Sequence, residues 1–409
     1  MQPRRQRIPL APASLSAHPS PRGVTTRELP RRPSASPQPS SDLRLVLPPL
    51  PRSHGSPILS PNKIPGSSSR RRLMSQAIPE KSPNAFFPSS FTLQVPTAKT
   101  ASRLSPRRES DSDQYPNRVR NFACLSKEGK IRSQPKVHNQ DAYLVVERFA
   151  GRPDASLFGV FDGHGSYGHD VSKYLKEHLE DCITRSLKPA DMGNPELVID
   201  ALKEGFKWVN AGIRKGTVDS IHSGSTCVVV VIIGDVCICG NVGDSRAVLV
   251  RNSSSGWFPV PLSEDHKPSV EDERARIIER GGVIAQQCSS SGLFSGPLRV
   301  WLPGQQAPGL AMTRSMGDTI ASKIGVVGEP ELRQVMLTEQ DQVLVLASDG
   351  LWEVLSNEEV VAILKRYDSS AADQAAERLM EEAQRRWDGS TVDDTTIVLV
   401  WLECSTQVR

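Results

Sequence analysis

The sequence predicts an α+β fold in which sheets carry helices on their outer faces, and three observations carry that prediction. Apolar runs at 225–233, 236–241 and 247–251 are joined by Gly-Asp and Gly-Asp-Ser turns. Links that short cannot hold a crossover, so these strands must be antiparallel. Strand runs and helix pairs are grouped along the chain rather than alternating one by one, which argues for segregated layers. Finally, the texture changes near residue 115, separating a tail (1–115) from a folded body (116–404).

The tail is basic and poor in aliphatic residues. Residues 1–108 hold 18 Lys or Arg against 3 Asp or Glu, and 20 of the 32 prolines precede residue 107. Such a composition cannot bury enough surface to offset chain entropy, so disorder is expected. Ser-Pro steps at Ser20, Ser36, Ser56, Ser60, Ser82 and Ser105 suit proline-directed kinases and equally suit low-complexity sequence. Arg70-Arg71-Arg72 and Arg107-Arg108 admit nuclear import or contact with a polyanion, and the Arg- and Ser-rich start admits an organellar transit peptide. A solvated linker is the simplest reading.

Residues 109–409 are acidic, with 32 Lys or Arg against 43 Asp or Glu, which speaks against nucleic acid as the body's partner. There is no 18-residue apolar run and no apolar signal core, so no membrane span is expected, with cytoplasm or nucleus as the compartment and an organelle the alternative. Cysteines 124, 182, 227, 237, 239, 288 and 404 are odd in number and mostly lie in apolar runs, as reduced buried thiols do. Cys237 and Cys239 alternate along a strand pattern and lack a second pair, which favours core packing over a metal.

Taken in order, strands are predicted at 122–125, 142–146 and 157–161. Val171, Tyr174, Leu175, His178, Leu179 and Cys182 recur at helical spacing over 170–186, and Asn194-Pro195 opens a second helix. After the three tightly linked strands, 269–280 reads as a capped helix closed by Gly281-Gly282, and the Ser-, Gly- and Pro-rich stretch 285–309 as a long surface loop. Strands follow at 331–337 and 342–348, then a helix capped by Ser356 with Glu359 in the capping-box position, a helix over 370–387 and a last strand at 396–402.

Acidic residues recur at strand ends: Asp141, Asp162, Asp244, Asp318, Asp349 and Asp393. Each alone is an ordinary turn residue. Gathered at one sheet edge they would repel one another unless cations bound among them, and oxygen-only ligands select magnesium, manganese or calcium. A carboxylate-bridged pair of such ions suits phosphate ester cleavage. Phe161-Asp162-Gly163-His164-Gly165 stands where a buried strand opens into a loop, a place where functional groups concentrate.

These residues carry a resemblance. Lys136-Val137-His138-Asn139-Gln140-Asp141, Phe161-Asp162-Gly163-His164-Gly165, Ser223-Gly224-Ser225-Thr226, Asn241-Val242-Gly243-Asp244-Ser245-Arg246 and Asp265-His266-Lys267-Pro268 come first. Glu279-Arg280-Gly281-Gly282-Val283, Leu310-Ala311-Met312-Thr313-Arg314-Ser315-Met316-Gly317-Asp318, Ala347-Ser348-Asp349-Gly350-Leu351-Trp352-Glu353-Val354 and Asp393-Asp394 follow. In this order they resemble the metal-dependent protein phosphatases of type 2C, across the body and not the tail.

The resemblance implies a four-layer sandwich of two antiparallel sheets flanked by helices, with two Mg2+ or Mn2+ ions at one end and phosphorylated proteins as substrates. Asp162 would bridge the ions, Gly163 would lend its carbonyl to one, Asp349 and Asp393 would bind the other, and Asp141 would contact the ions or hold their waters. A water bridging the two ions would attack phosphoserine or phosphothreonine directly, with His164 as general acid. Lys136 stands where an Arg often binds the substrate phosphate, and Gln140 where a Glu often serves a metal. Asp265 and Glu353, the latter in place of an Asp, would serve an additional ion. The family is usually monomeric, and 285–309 would belong to a flap beside the site.

Against the phosphatase stand a non-catalytic phosphoprotein-binding member of the same fold and a polyanion binder working through the tail. Asp244-Ser245-Arg246 and Asp318 read as structural turn and ion-pair groups. His138, His169, His178, His222 and His266 read as surface or packing residues, and Trp352 as core.

Overall fold

The computed structural model describes residues 117–403 apart from 290, 291 and 388. The tail's expected disorder, its Ser-Pro steps and Cys404 therefore lie outside the described residues. In chain order come β1 (Val119–Lys127), β2 (Lys130–Ile131), β3 (Gln134–Pro135), β4 (Asp141–Val146) and β5 (Ala155–His164), then α1 (Gly168–Thr184) and α2 (Pro195–Lys215). β6 (Gly224–Ser225), β7 (Cys227–Ile233), β8 (Val236–Val242), β9 (Arg246–Ser253) and β10 (Gly256–Pro261) follow. α3 (Glu271–Glu279) leads into β11 (Val283–Cys288), β12 (Phe294–Trp301), β13 (Pro308–Leu310) and β14 (Met316–Gly317). β15 (Glu331–Met336), β16 (Asp341–Ala347), α4 (Asp349–Trp352), α5 (Asn357–Leu364), α6 (Ala372–Arg386), β17 (Thr391–Val392) and β18 (Thr395–Leu402) complete the body.

Two large antiparallel sheets face each other. One has the order β1-β18-β16-β9-β10; the other runs β14-β6-β5-β7-β8-β15 with β4 also on β5. Their facing sides share a core that includes Phe158, Val160, Val228, Val230, Leu344 and Val398. The alternate residues of the same strands point outward and are also buried. Leu157, Phe161, Val229 and Val231 pack on Leu175 of α1 and Phe206 of α2, while Val345, Ile397 and Leu399 pack on Leu351, Leu364 and Leu379 of α4, α5 and α6. Burial on both faces explains why these strands are continuous apolar runs rather than alternating ones. Each such side chain contributes roughly 1.5–3 kcal/mol on leaving water. The result is the expected four layers.

Local chemistry sets the helix starts. Asn194 accepts from the Glu196 N–H with Pro195 in the first turn, and Ser356 and Glu359 form the reciprocal capping box. Ser269 does not cap α3: the helix begins at Glu271 with Val270 in the cap position, and three acids in its first turn favour the positive end instead. The expected loop at 285–309 is also corrected, because β11, β12 and β13 form a small sheet of their own. β10 has no counterpart in the expectations because of Pro259 and Pro261; it is an edge strand, where proline costs no ladder bond. Cys182, Cys227, Cys237 and Cys239 are buried free thiols as expected, whereas Cys288 is exposed at the end of β11. Among the described residues no helix is long and apolar enough to cross a membrane.

Candidate metal centre and active site

The antiparallel ladder gathers the acids. Asp141 begins β4 and lies opposite Asp162 near the end of β5. Asp349 follows the end of β16, and Asp393 precedes β18, which pairs antiparallel with β16. Asp244 lies in the turn between β8 and β9, at the same edge, since the start of β9 pairs with the end of β16. Strand ends of the two facing sheets thus deliver carboxylates from distant parts of the chain to one end of the sandwich, where Ser348 beside Asp349 also reaches Asp141.

Their electrostatics record the crowding. Burial, then the charges of Asp349, Asp141, Asp393 and Asp244, hold Asp162 well above the usual carboxylate range. Burial, then Asp244 and Asp393, does the same to Asp349, with Lys267 acting the other way. Asp141 is pushed up to about 7 by burial, although the Ser348 hydroxyl donates to its Oδ2 at 2.7 Å. Asp141 Oδ1 and Asp244 Oδ1 are buried with no hydrogen-bond partner among the described residues.

Two lysines supply the nearby positive charge. Lys136 Nζ lies 2.5 Å from Asp393 Oδ1 and 3.2 Å from Asp394 Oδ2. Burial alone would lower its pKa, but these two carboxylates carry it above the ordinary lysine range. Lys267 donates to Asp244 Oδ2. A cleft of about 340 Å³ opens here, lined by Asp244, Asp265, Lys267, Asp349 and Glu353, with Pro297 and Leu298 of β12 on its rim. Part of 285–309 therefore does border the carboxylates.

The other named residues divide. Gln140 lies beside the cluster, but its Nε2 donates to the Gly165 carbonyl at 2.7 Å. A methyl on Gly163 would stand 2.2 Å from the Gly168 carbonyl, so only glycine lets β5 run this close to the start of α1. Asp265 has both oxygens taken by Arg246, each at 2.8 Å, and Arg246 in turn lies over the Trp352 ring. Trp352 is buried, as expected of a core residue. Glu353 sits one turn after Asp349, its N–H on the Asp349 carbonyl at 2.8 Å. His266 is buried between Gly243 and Glu331, and His138 stacks on His169 at 4.4 Å.

His164 is held at one nitrogen. Its Nε2 is 2.6 Å from Asp318 Oδ2, and its Nδ1 is buried without a partner among the described residues. Asp318 as an ion-pair residue follows the sequence reading; that its partner is His164 does not. Lys267 and Ser348 are further residues to which the sequence reading gave no role, although both lie inside motifs it singled out.

The donor set fits hard divalent cations. It is oxygen-only and mutually repelling, and at Asp141 and Asp244 it leaves buried carboxylate oxygens unpartnered, costs that a cation would relieve. Among the described residues no three His, Cys, Asp or Glu side chains form a ready-made chelate. Asp393 is engaged instead by Lys136.

Sandwich and acidic edge together define a class of protein, and comparison with known proteins gives it a name. The chain belongs to the protein phosphatase 2C family, whose family model matches residues 132–392. It is 36% identical over 312 residues to "Probable protein phosphatase 2C 64" of Oryza sativa subsp. japonica, covering 74% of this chain and 71% of that one. It is 35% identical over 366 residues to "Probable protein phosphatase 2C 33" of Arabidopsis thaliana, covering 73% and 72%. The serine-threonine phosphatase 2C from Toxoplasma gondii superposes with a TM-score of 0.60 at 23% identity, over 71% of this chain and 97% of the other. At that identity the likeness speaks for the fold.

Proposed function

We propose that this chain is a protein serine/threonine phosphatase that uses Mg2+ or Mn2+ to hydrolyse phosphoserine and phosphothreonine in protein substrates. The observation that carries the reading is the delivery of Asp141 and Asp162 from one sheet, and of Asp349 and Asp393 from the facing sheet, to the same end of the sandwich, with Asp141 Oδ1 left unpartnered. Acids at strand ends have no packing reason to meet there.

Asp141, Asp162, Asp349, Asp393 and the Gly163 carbonyl would hold two ions, with Gln140 at their margin. Bound there, the ions would acidify a water and neutralise the phosphoryl oxygens. An additional ion is better served by Asp244 and Glu353, which share the cleft with Asp349, than by Asp265, whose oxygens belong to Arg246. Lys136 supplies charge to the substrate phosphate, without the bidentate fork of an arginine. As the water oxygen bonds to phosphorus and the P–Oγ bond breaks, His164 gives its proton to the departing Ser or Thr oxygen. The products are the free hydroxyl and inorganic phosphate.

The test is phosphate release from a phosphothreonine peptide with Mn2+, with Mg2+ and with chelator, for wild type and Asp349→Ala. Metal-dependent turnover that Asp349→Ala reduces to background is expected. Folded wild type that binds the peptide at millimolar metal without releasing phosphate would instead identify the non-catalytic member of the fold.

A further inference from the structure

Behind His164, three strands lie side by side. In β5, β6 and β14, His164 is opposite Gly224 and Gly224 is opposite Gly317. The middle position carries no side chain, and the space matters: a methyl on Gly224 would stand 2.2 Å from Asp318 Oδ2 and 2.5 Å from Ser315 Oγ. Asp318, the residue after β14, occupies that gap and reaches the imidazole across it at 2.6 Å.

Asp318 is fully buried and holds a left-handed backbone conformation, φ +43°, that non-glycine residues rarely adopt. Its N–H is fixed to the Ser223 carbonyl at 3.0 Å, and Arg214 secures the neighbouring Gly317 carbonyl at 3.0 Å. A buried carboxylate in a strained backbone persists when its surroundings over-determine it, and such places cluster at functional sites. Because a carboxylate only accepts, the hydrogen between the two groups sits on Nε2. Nδ1, buried and without a partner among the described residues, is then the ring nitrogen not engaged by the carboxylate.

We propose that Asp318 is a positioning residue for His164: it fixes the orientation and tautomer of the ring for delivery of the proton to the departing serine or threonine oxygen. The inference rests on the reading of His164 as general acid. Gly224 is part of the device, since it opens the path between carboxylate and ring.

The experiment compares two substrates on the full chain with Mn2+. A threonine oxygen leaves only with a proton, whereas nitrophenolate leaves without one. Asp318→Asn is expected to lower kcat on a phosphothreonine peptide by roughly 100-fold, the usual worth of a general acid, and to leave kcat on p-nitrophenyl phosphate within about threefold. Gly224→Ala, which displaces the carboxylate without altering it, is expected to give the same selective loss, and it carries the test alone if Asp318→Asn does not fold. Equal losses on both substrates in folded variants, or no loss on the peptide, would overturn the proposal. Wild type that is silent on the phosphothreonine peptide would count against the phosphatase reading instead.

Discussion

Lys136 and Asp393 show how one contact can tie together two functions. The lysine that would meet the substrate phosphate holds a carboxylate that would meet a metal, at 2.5 Å and only 18% exposed. Ammonium and metal therefore compete for the same oxygen. Removing the lysine charge should leave Asp393 free for the ion, while phosphate loses a partner. Lys136→Met is expected to tighten Mn2+ binding by about 1 kcal/mol, roughly fivefold, in isothermal titration calorimetry, and to raise KM for a phosphopeptide. Unchanged or weaker Mn2+ binding would mean that the pair does not oppose the metal.

Among the elements, α3 is tied to the segment before β14 through one buried acid. Glu273 takes Arg276 through both oxygens, Arg314 through one, and the Thr313 hydroxyl at 2.5 Å, tying α3 to the segment that leads into β14. Burial would raise its pKa, but these hydrogen bonds hold it below the usual range. Since the folded pKa is depressed, the unfolded chain takes up the proton first as pH falls, so the contribution is complete above the ordinary glutamate pKa and is lost below it. Glu273→Gln is expected to cost about 2 kcal/mol in urea denaturation at pH 7, with the difference from wild type shrinking below about pH 4. A pH-independent difference would remove the ionic explanation. The same region was least legible in the sequence. β11 and β12 are exposed over most of their length and turn mainly Ile284 and Val300 inward, so no alternation of apolar residues marks them, and their Gly, Pro and Ser content resembles a loop.

The molecule as a whole concentrates like charge at one edge of a sandwich whose body is already acidic. Such an arrangement opposes its own folding until a cation arrives, so binding and stability are linked. Mn2+ at 100 times its dissociation constant should stabilise the fold by about 2.7 kcal/mol, raising the melting temperature by several degrees. Chelator should reverse the shift, and Asp349→Ala should reduce it. This needs no turnover, so a metal-insensitive melting temperature would challenge the ion site independently of activity.

Sequence alone determined the elements and much of the site's composition. Capping chemistry at Asn194 and Ser356, the helical spacing of α1 and the tight links between β7, β8 and β9 act over a few residues, and a short-range cause is readable in a short stretch of sequence. The acids were legible for the same reason: turn residues at strand ends mark themselves. Tertiary structure decided which side chains face one another. Arg246 takes Asp265, Lys136 takes Asp393, and Asp318 crosses the gap at Gly224 to reach a histidine 154 residues away. Those partnerships depend on the register of strands far apart in the chain, where a shift of one residue would turn each side chain to the other face of the sheet, and no local pattern encodes that.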